Sequence, residues 1–351
     1  AQMEGLAARF AGDTLPLYGG NDDDDDSGVI RYVSLRYGGK VLSMANELNG
    51  LSIGGVGRAT EIEYLEIMNN VDDGIEIWGG TVNLKYVSVW NVGDDSFDVD
   101  QGWRGKAQFG LIVQGYCGTK SQGSGIADNC FEMDGAESAT AQPFGAASIY
   151  NFTVIGQPYD GDHATAWRDN MRAQFGNCIF MDIGEYLIRD EGTAGDGGGY
   201  GSAGVPTLLS LFSTPYDSYP TNTVGVDPKV LYPNFTSGNW CQFTDCVFFR
   251  NFETATLNTF GVMAPAYRNK IEDNIAKMPI QNLVRSAPVQ VGGKVMAQVT
   301  KLNPLPAYEA LTAGGTAPDD GFFSPVAYKG AFGGYNWLKG WSAADAYGLL
   351  D

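Results

Sequence analysis

An all-β coil of stacked parallel strands, a β-helix solenoid, is the fold class this sequence predicts, and two sets of recurring segments predict it. Residues 48–54 (LNGLSIG), 72–78 (DDGIEIW), 94–100 (DDSFDVD) and 128–134 (DNCFEMD) can be written over one another. Residues 30–37 (IRYVSLRY), 62–69 (IEYLEIMN), 84–91 (LKYVSVWN) and 107–114 (AQFGLIVQ) form a second set. Both recur with a period of roughly 22–34 residues, the size of one rung whose apolar face only its neighbours can bury. Within each segment apolar residues alternate with polar or small ones, the period-two pattern of a strand with one buried face. Each strand returns in the same orientation after a short loop, so the pairing is parallel.

The alternation assigns faces. Leu51, Ile75, Phe97 and Phe131 make one inward stack and Ile53, Ile77, Val99 and Met133 another, while Ser52, Glu76, Asp98 and Glu132 point out. Tyr32, Tyr64, Tyr86 and Phe109 form an aromatic column, which Phe152, Phe175 and Phe243 are expected to continue. The 48 glycines suit tight corners, where positive φ costs glycine nothing. The coil is expected over residues 1–257, with an insertion rich in Gly, Pro and Tyr at 192–238. Residues 258–351 are expected to hold the last rungs and a cap, with a short helix within 269–283.

Charge narrows the partners. Lys and Arg total 22 against 41 Asp and Glu, a formal charge of −19 that argues against nucleic acid or an anionic membrane. No run of eighteen apolar residues offers a membrane span. The chain opens at Ala1-Gln2-Met3 without a basic or apolar leader, so a leader has been removed or never existed. Cys117 and Cys130 flank a Gly/Ser loop that a disulfide can close; Cys178 and Cys246 read as small buried hydrophobes. No CxxC pair occurs and His163 is the single histidine, which argues against zinc.

Longer runs carry a family resemblance. SGVIRYVSLRYGG (27–39), NELNGLSIGGVG (46–57), VDDGIEIWGGTVNLKYV (71–87), GDDSFDVDQGWRGKAQF (93–109) and GFFSPVAYKGAFGGYNWLKGW (321–341) resemble a family of secreted bacterial parallel β-helix proteins. The resemblance implies a right-handed coil, export to the cell exterior or surface, and no established biochemical activity. It also implies a further segment ahead of Ala1. An uncovered first rung would expose unpaired strand edges, so head-to-tail stacking of copies into an oligomer or filament is expected, or coverage by another stretch of polypeptide.

The acidic corner is the candidate site. Asp73 and Asp95 fall in one column with Asn49 and Asn129, beside Asp72, Asp94 and Asp128. Rungs are about 4.8 Å apart, and like charges at that distance repel by about 1 kcal/mol even in bulk water. Asp72, Asp73, Asp94 and Asp95 are therefore expected to hold calcium, a ligand for six to eight oxygens, or to be neutralised by Arg104 or Lys106. A backbone-satisfying ladder is the structural alternative. The run Asp22 to Asp26 is a solvated turn or a second calcium loop. His163 is a general base or a hydrogen-bonded surface residue. Trp78 and Trp103 are expected to offer a carbohydrate platform or to pack under a loop, and Tyr200, Tyr216 and Tyr219 to stack on sugar rings or to pack among themselves.

The leading expectation is a secreted structural or interaction module, self-assembling or glycan-binding. The alternative is a polysaccharide lyase or hydrolase. Asp94, Asp95, Asp98 and Glu132 superficially fit paired-carboxylate hydrolysis, but no Gly-His-Gly or Arg-Ile-Lys motif accompanies them, and Arg104 and Arg168 are only generic bases for a lyase.

Overall fold

The computed structural model describes residues 1–2, 10–42, 47–117, 126–136, 138–192, 199–218 and 228–351. Strands dominate. In chain order they are β1 Val29–Arg36, β2 Leu51–Gly54, β3 Glu61–Met68, β4 Ile75–Trp78, β5 Asn83–Trp90, β6 Phe97–Asp100, β7 Lys106–Val113, β8 Phe131–Met133, β9 Ala146–Ile155 and β10 Thr165–Trp167. There follow β11 Arg172–Gly176, β12 Ile179–Met181, β13 Arg189–Asp190, β14 Gln242–Thr244, β15 Val247–Phe249 and β16 Lys270–Glu272. The last four are β17 Ile280–Arg285, β18 Val289–Val291, β19 Lys294–Met296 and β20 Val299–Pro306.

From β1 to β10 successive strands alternate between two parallel sheets. The larger runs β1-β3-β5-β7-β9-β12-β15-β16, with β11 and β14 alongside, and the smaller runs β2-β4-β6-β8-β10-β13. Each turn of the chain in that stretch thus adds a strand to each sheet. The register stacks Leu51 on Ile75, Ile75 on Phe97 and Phe97 on Phe131, as the alternation requires. Ile75, Phe97 and Phe131 are fully buried in one continuous core, and the Phe97 and Phe131 rings lie 5.6 Å apart.

A left-handed residue marks the same point of nearly every strand in the large sheet. Tyr32, Tyr64, Tyr86, Phe109, Asn151, Asn177, Asp245 and Arg268 occupy one column by register and all have φ between 54° and 61°. Bulky residues rarely adopt this conformation, and here it bends each strand at one corner. The ring stack offsets the cost: Tyr32–Tyr64 and Tyr64–Tyr86 centroids are 4.5 Å apart and Tyr86–Phe109 5.0 Å, pairs worth about 0.5–1.5 kcal/mol each. Beyond Phe109 the column passes to Asn and Asp, which tolerate positive φ.

The expected continuation through Phe152, Phe175 and Phe243 is therefore off by register. Phe152 pairs with Gly110 and turns into the core, where a Cβ on Gly110 would sit 1.9 Å from its ring. Phe175 and Phe243 stack on each other inside the coil at 4.9 Å. The short helix expected within 269–283 is a single 3₁₀ turn at Ile275–Lys277, set between strands β16 and β17.

The C-terminal region does more than close the last rung. After the antiparallel pairs β17–β20 and β18–β19, it runs back over the outer face of the large sheet. Lys106 binds Asp320, Gln108 and Ser324 exchange hydrogen bonds, Thr153 accepts from Ala331 N–H and Trp341 packs edge-on against Tyr64. Buried Glu66 accepts the N–H groups of Ala343 (2.7 Å) and Ala344 (2.9 Å) at the start of the helix Ala343–Ala346. A second apolar core fills the space, joining Trp90, Val113, Ile155 and Phe249 to Leu302, Phe332 and Trp337. The middle of the large sheet is thus covered on both faces, and β7 and β9 are buried along nearly their whole length.

All five cysteines are buried and none is in a disulfide, so the expected Cys117–Cys130 bridge is not formed. No helix among the described residues is long and apolar enough to cross a membrane.

Gly110→Ala is expected to destabilise the fold by about 1–3 kcal/mol through overpacking against Phe152, and Phe152→Leu in the same chain is expected to recover part of the loss. Denaturant unfolding of the single and double variants measures both; additive losses would show that the two positions do not compete for space.

Candidate functional site: the acidic spine

The corner entering the small sheet repeats in register over six rungs, carrying Asn49, Asp73, Asp95, Asn129, His163 and Tyr186. Backbone bonds fix the equivalence: Gly50 N–H donates to Asp73 O, Gly74 to Asp95, Ser96 to Asn129, Cys130 to His163 and Ala164 to Tyr186. The preceding positions, from Asp72 onward, carry Asp72, Asp94, Asp128, Asp162 and Glu185. On the strands that follow, Glu76, Asp98 and Glu132 are register partners facing outward. The chain thus stacks two acidic files on either side of a corner column that is itself acidic at Asp73 and Asp95.

Several of these side chains hold the next rung. Asp73 Oδ1 accepts the N–H of Asp95 at 2.9 Å, and Asp95 Oδ1 accepts that of Asn129 at 2.6 Å. Asn129 Oδ1 then meets His163 Nδ1 at 2.8 Å, and the His163 ring stacks on Tyr186 at 5.7 Å. His163 also touches Asp162 (2.8 Å) and Glu185 (3.5 Å), and it is buried rather than a surface residue. The spine therefore extends two rungs beyond the segments that the sequence pattern picks out. The missed signal is DHATAW (162–167), where Thr165 stands in register with Phe131 and breaks the apolar pattern.

Neutralisation is uneven along the spine. Arg168 bonds Glu132 and lies 3.3 Å from Asp134, and Lys294 lies 3.2 Å from Asp162. Burial works against Asp162, yet His163, Asp128 and Lys294 hold it below the usual carboxylate range. No lysine or arginine among the described residues pairs with Asp73, Asp94, Asp95 or Asp98. The expected neutralisers lie elsewhere: Arg104 pairs with Asp23 at 2.7 Å and Lys106 with Asp320 at 2.6 Å. Arg104, in the loop before β7, and Lys106, the first residue of β7, thus reach other segments. The Asp22 to Asp26 run is in turn matched by arginine, with Arg58 3.0 Å from Asp24.

Uncompensated burial moves the carboxyl groups upward. Desolvation raises Asp73 well above its ordinary value, aided by Asp72 and Asp95. Asp94 is pushed up to about 9 by burial and by Asp128. Burial, then Glu132, raises Asp95 and Asp98 strongly. Asp98 is 5% exposed, and its Oδ1 has no hydrogen-bond partner among the described residues. The carboxylate oxygens of Asp73, Glu76 and Asp98 lie within 4.8 Å of one another, as do those of Asp94, Asp95 and Asp128. Of the four residues expected to ligate calcium, Asp73 thus falls in one cluster and Asp94 and Asp95 in the other, while Asp72 joins neither.

The aromatic platforms are not where the sequence placed them. Trp78 is 2% exposed and Trp103 fully buried, its Nε1 donating to Val82 O at 3.0 Å, because the chain folds over both rings. Tyr200 and Tyr216 are also buried, Tyr200 donating to Met171 O, within an insertion whose Leu208, Phe212 and Phe235 pack on the coil. None of these rings offers a free face to a sugar; Tyr219 lies outside the described residues. A cleft of about 350 Å³ does open at the other ends of β4 and β6, lined by Gly80, Gln101, Arg104, Ser138 and Gln142. Among the described residues no carboxylate lines it, and no residue of the spine is among its walls.

A pH dependence follows from the raised carboxyl groups. Their folded pKa exceeds the unfolded value, so the native state binds more protons between the two; their contribution is present at low pH and lost as pH rises. In chelator, stability is expected to fall between about pH 4 and the Asp94 value of about 9. Asp94→Asn is expected to flatten that fall and to melt above the parent at pH 8. Thermal melts across pH check the sign, and a slope unchanged by the substitution would contradict it.

A family model describing a pectate-lyase-like β-helix domain matches residues 10–195, more than half of the chain. No curated protein and no solved structure matches. With parallel strands alternating between two stacked sheets, the chain belongs to the family of pectate-lyase-like β-helix domains.

Proposed function

We propose that this chain is an exported β-helix serving as a structural or interaction module outside the cell, its acidic spine bridged by calcium. The coil is inferred to be right-handed, as parallel crossovers generally are. One observation carries the reading: Asp73 and Asp95 spend a carboxylate oxygen on the backbone of the next rung. Buried groups engaged in this way suit holding rungs together better than attacking a glycosidic bond. The net charge of −19 suits an extracellular setting without nucleic-acid partners.

The residues fit calcium. Asp73, Glu76 and Asp98 supply only oxygen donors, the donor type calcium selects. The unbonded, buried Asp98 Oδ1 needs a proton or a cation. When bound, calcium would supply charge compensation to carboxylates that otherwise must stay protonated. Membership in a pectate-lyase-like family supports a second reading, a polysaccharide-cleaving enzyme.

Calcium at about a hundred times its dissociation constant is expected to stabilise the fold by about 2.7 kcal/mol, with Asp98→Asn abolishing most of the gain. Calorimetry and calcium-dependent melts test this; no heat and no shift would remove the cation. Incubation with polygalacturonate and other acidic polysaccharides, with calcium present, is expected to release no oligosaccharide. Reproducible release lost on Asp98→Asn would favour the enzyme.

A further inference from the structure

The two ends of the large sheet are complementary, and we infer that copies of this chain add head to tail through them, β16 of one laid parallel against β1 of the next. This goes beyond the calcium reading and involves no residue of the acidic spine. Among the described residues β1 pairs only with β3 and β16 only with β15, so each leaves one edge open. Exposed edges of this kind are templates for further strands. Large exposed apolar side chains gather near the first: Val29, Tyr32, Tyr37, Leu42 and Leu48. Ile30, Val33 and Leu35 of the same strand are only half-buried against the core.

The shape of the β1 edge selects its partner. Tyr32 has φ 57°, so the edge is bent, and a strand that follows it needs the same left-handed residue at the same place. An antiparallel copy of β1 would not reproduce that bend. Every parallel neighbour within the large sheet does, and the far end of the column is Arg268, with φ 55°. Continuing the register that sets Phe249 against Glu272 and Phe248 against Ile271 places Arg268 of one copy over Tyr32 of the next. It also sets Ile271 beside Leu35 and Glu272 beside Arg36.

Each of these contacts is favourable. Tyr32 stacks on Tyr64 with one face and is 56% exposed. The Arg268 side chain is 62% exposed and is held in place by Asp245, Nε to Oδ1 at 3.0 Å. A guanidinium over a tyrosine face is attractive, and Arg is the cation most often found there. Ile271 and Leu35 join apolar surfaces, and Glu272 meets Arg36 with opposite charge. An interface of this type is heterologous, so it leaves the same two ends free and propagates into a filament.

Sedimentation velocity and light scattering over a wide concentration range test the inference, with and without chelator. Concentration-dependent growth beyond the monomer is expected. Arg36→Glu and Glu272→Arg are each expected to shift the association midpoint upward by about tenfold, and the double exchange to restore it. Tyr32→Ala is expected to weaken association likewise, and circular dichroism verifies that each variant is folded. A monomer at every concentration overturns the inference and leaves the β1 edge to a strand from another polypeptide. Association indifferent to both charge reversals and to Tyr32→Ala overturns it as well.

Discussion

Parallel in-register stacking is the constraint on which everything else in this molecule depends. Each residue lies over the same position of the next rung at about 4.8 Å, so the chain must choose residues that tolerate their own kind. Apolar residues do, and Ile75, Phe97 and Phe131 stack into one core. Aromatic rings do, and the Tyr32–Phe109 stack holds four bulky residues in a conformation that they otherwise avoid. Amide side chains do as well, because each can both donate and accept. Carboxylates do not, since they only accept and repel one another.

The acidic spine is therefore where the stacking rule works against the fold, and the molecule relieves it by different means at its two ends. Toward Asp162 and Glu132, Lys294 and Arg168 reach in from other segments. At Asn129 an amide replaces a carboxylate, and at His163 a ring does. Among the described residues none of these devices reaches Asp73, Asp94, Asp95 or Asp98, and a backbone N–H of the next rung meets one oxygen each of Asp73 and Asp95. Burial then leaves protonation or a cation as the remaining ways to remove the charge. That local shortage, rather than the number of acidic residues, singles out this stretch.

Legibility in the sequence followed the same rule. Where like sat over like, as in the segments 72–78, 94–100 and 128–134, both fold and register could be read by writing the letters in rows. Where a column changed residue type, reading by letters failed. Phe109 gives way to Asn151, while Phe152 one position later belongs to the inward file opposite Gly110. The aromatic match at Phe152 was thus a coincidence of spelling, one residue out of register, and a one-residue slip sends a side chain to the other face. Thr165 hid the continuation of the spine in the same way. The burial of Trp78 and Trp103 was illegible for another reason. Which outward side chains are covered depends on segments far away in sequence, and alternation within one strand carries no information about them.

The C-terminal segment shows what such coverage does energetically. A coil of rungs has mainly nearest-neighbour contacts, so its ends can fray independently of its middle. Here residues from Asp320 to Tyr347 touch Lys106, Thr153, Tyr86, Glu66 and Arg36 in turn, tying rungs that are otherwise not in contact. Loss of one rung then disturbs contacts at several others, which converts a string of neighbours into a more cooperative unit. The Glu66 carboxylate, fully buried and accepting two backbone N–H groups, fastens the strap near the first rung. The helix start above it supplies two backbone donors to this one carboxylate, where Asp73 and Asp95 accept one each from the next rung.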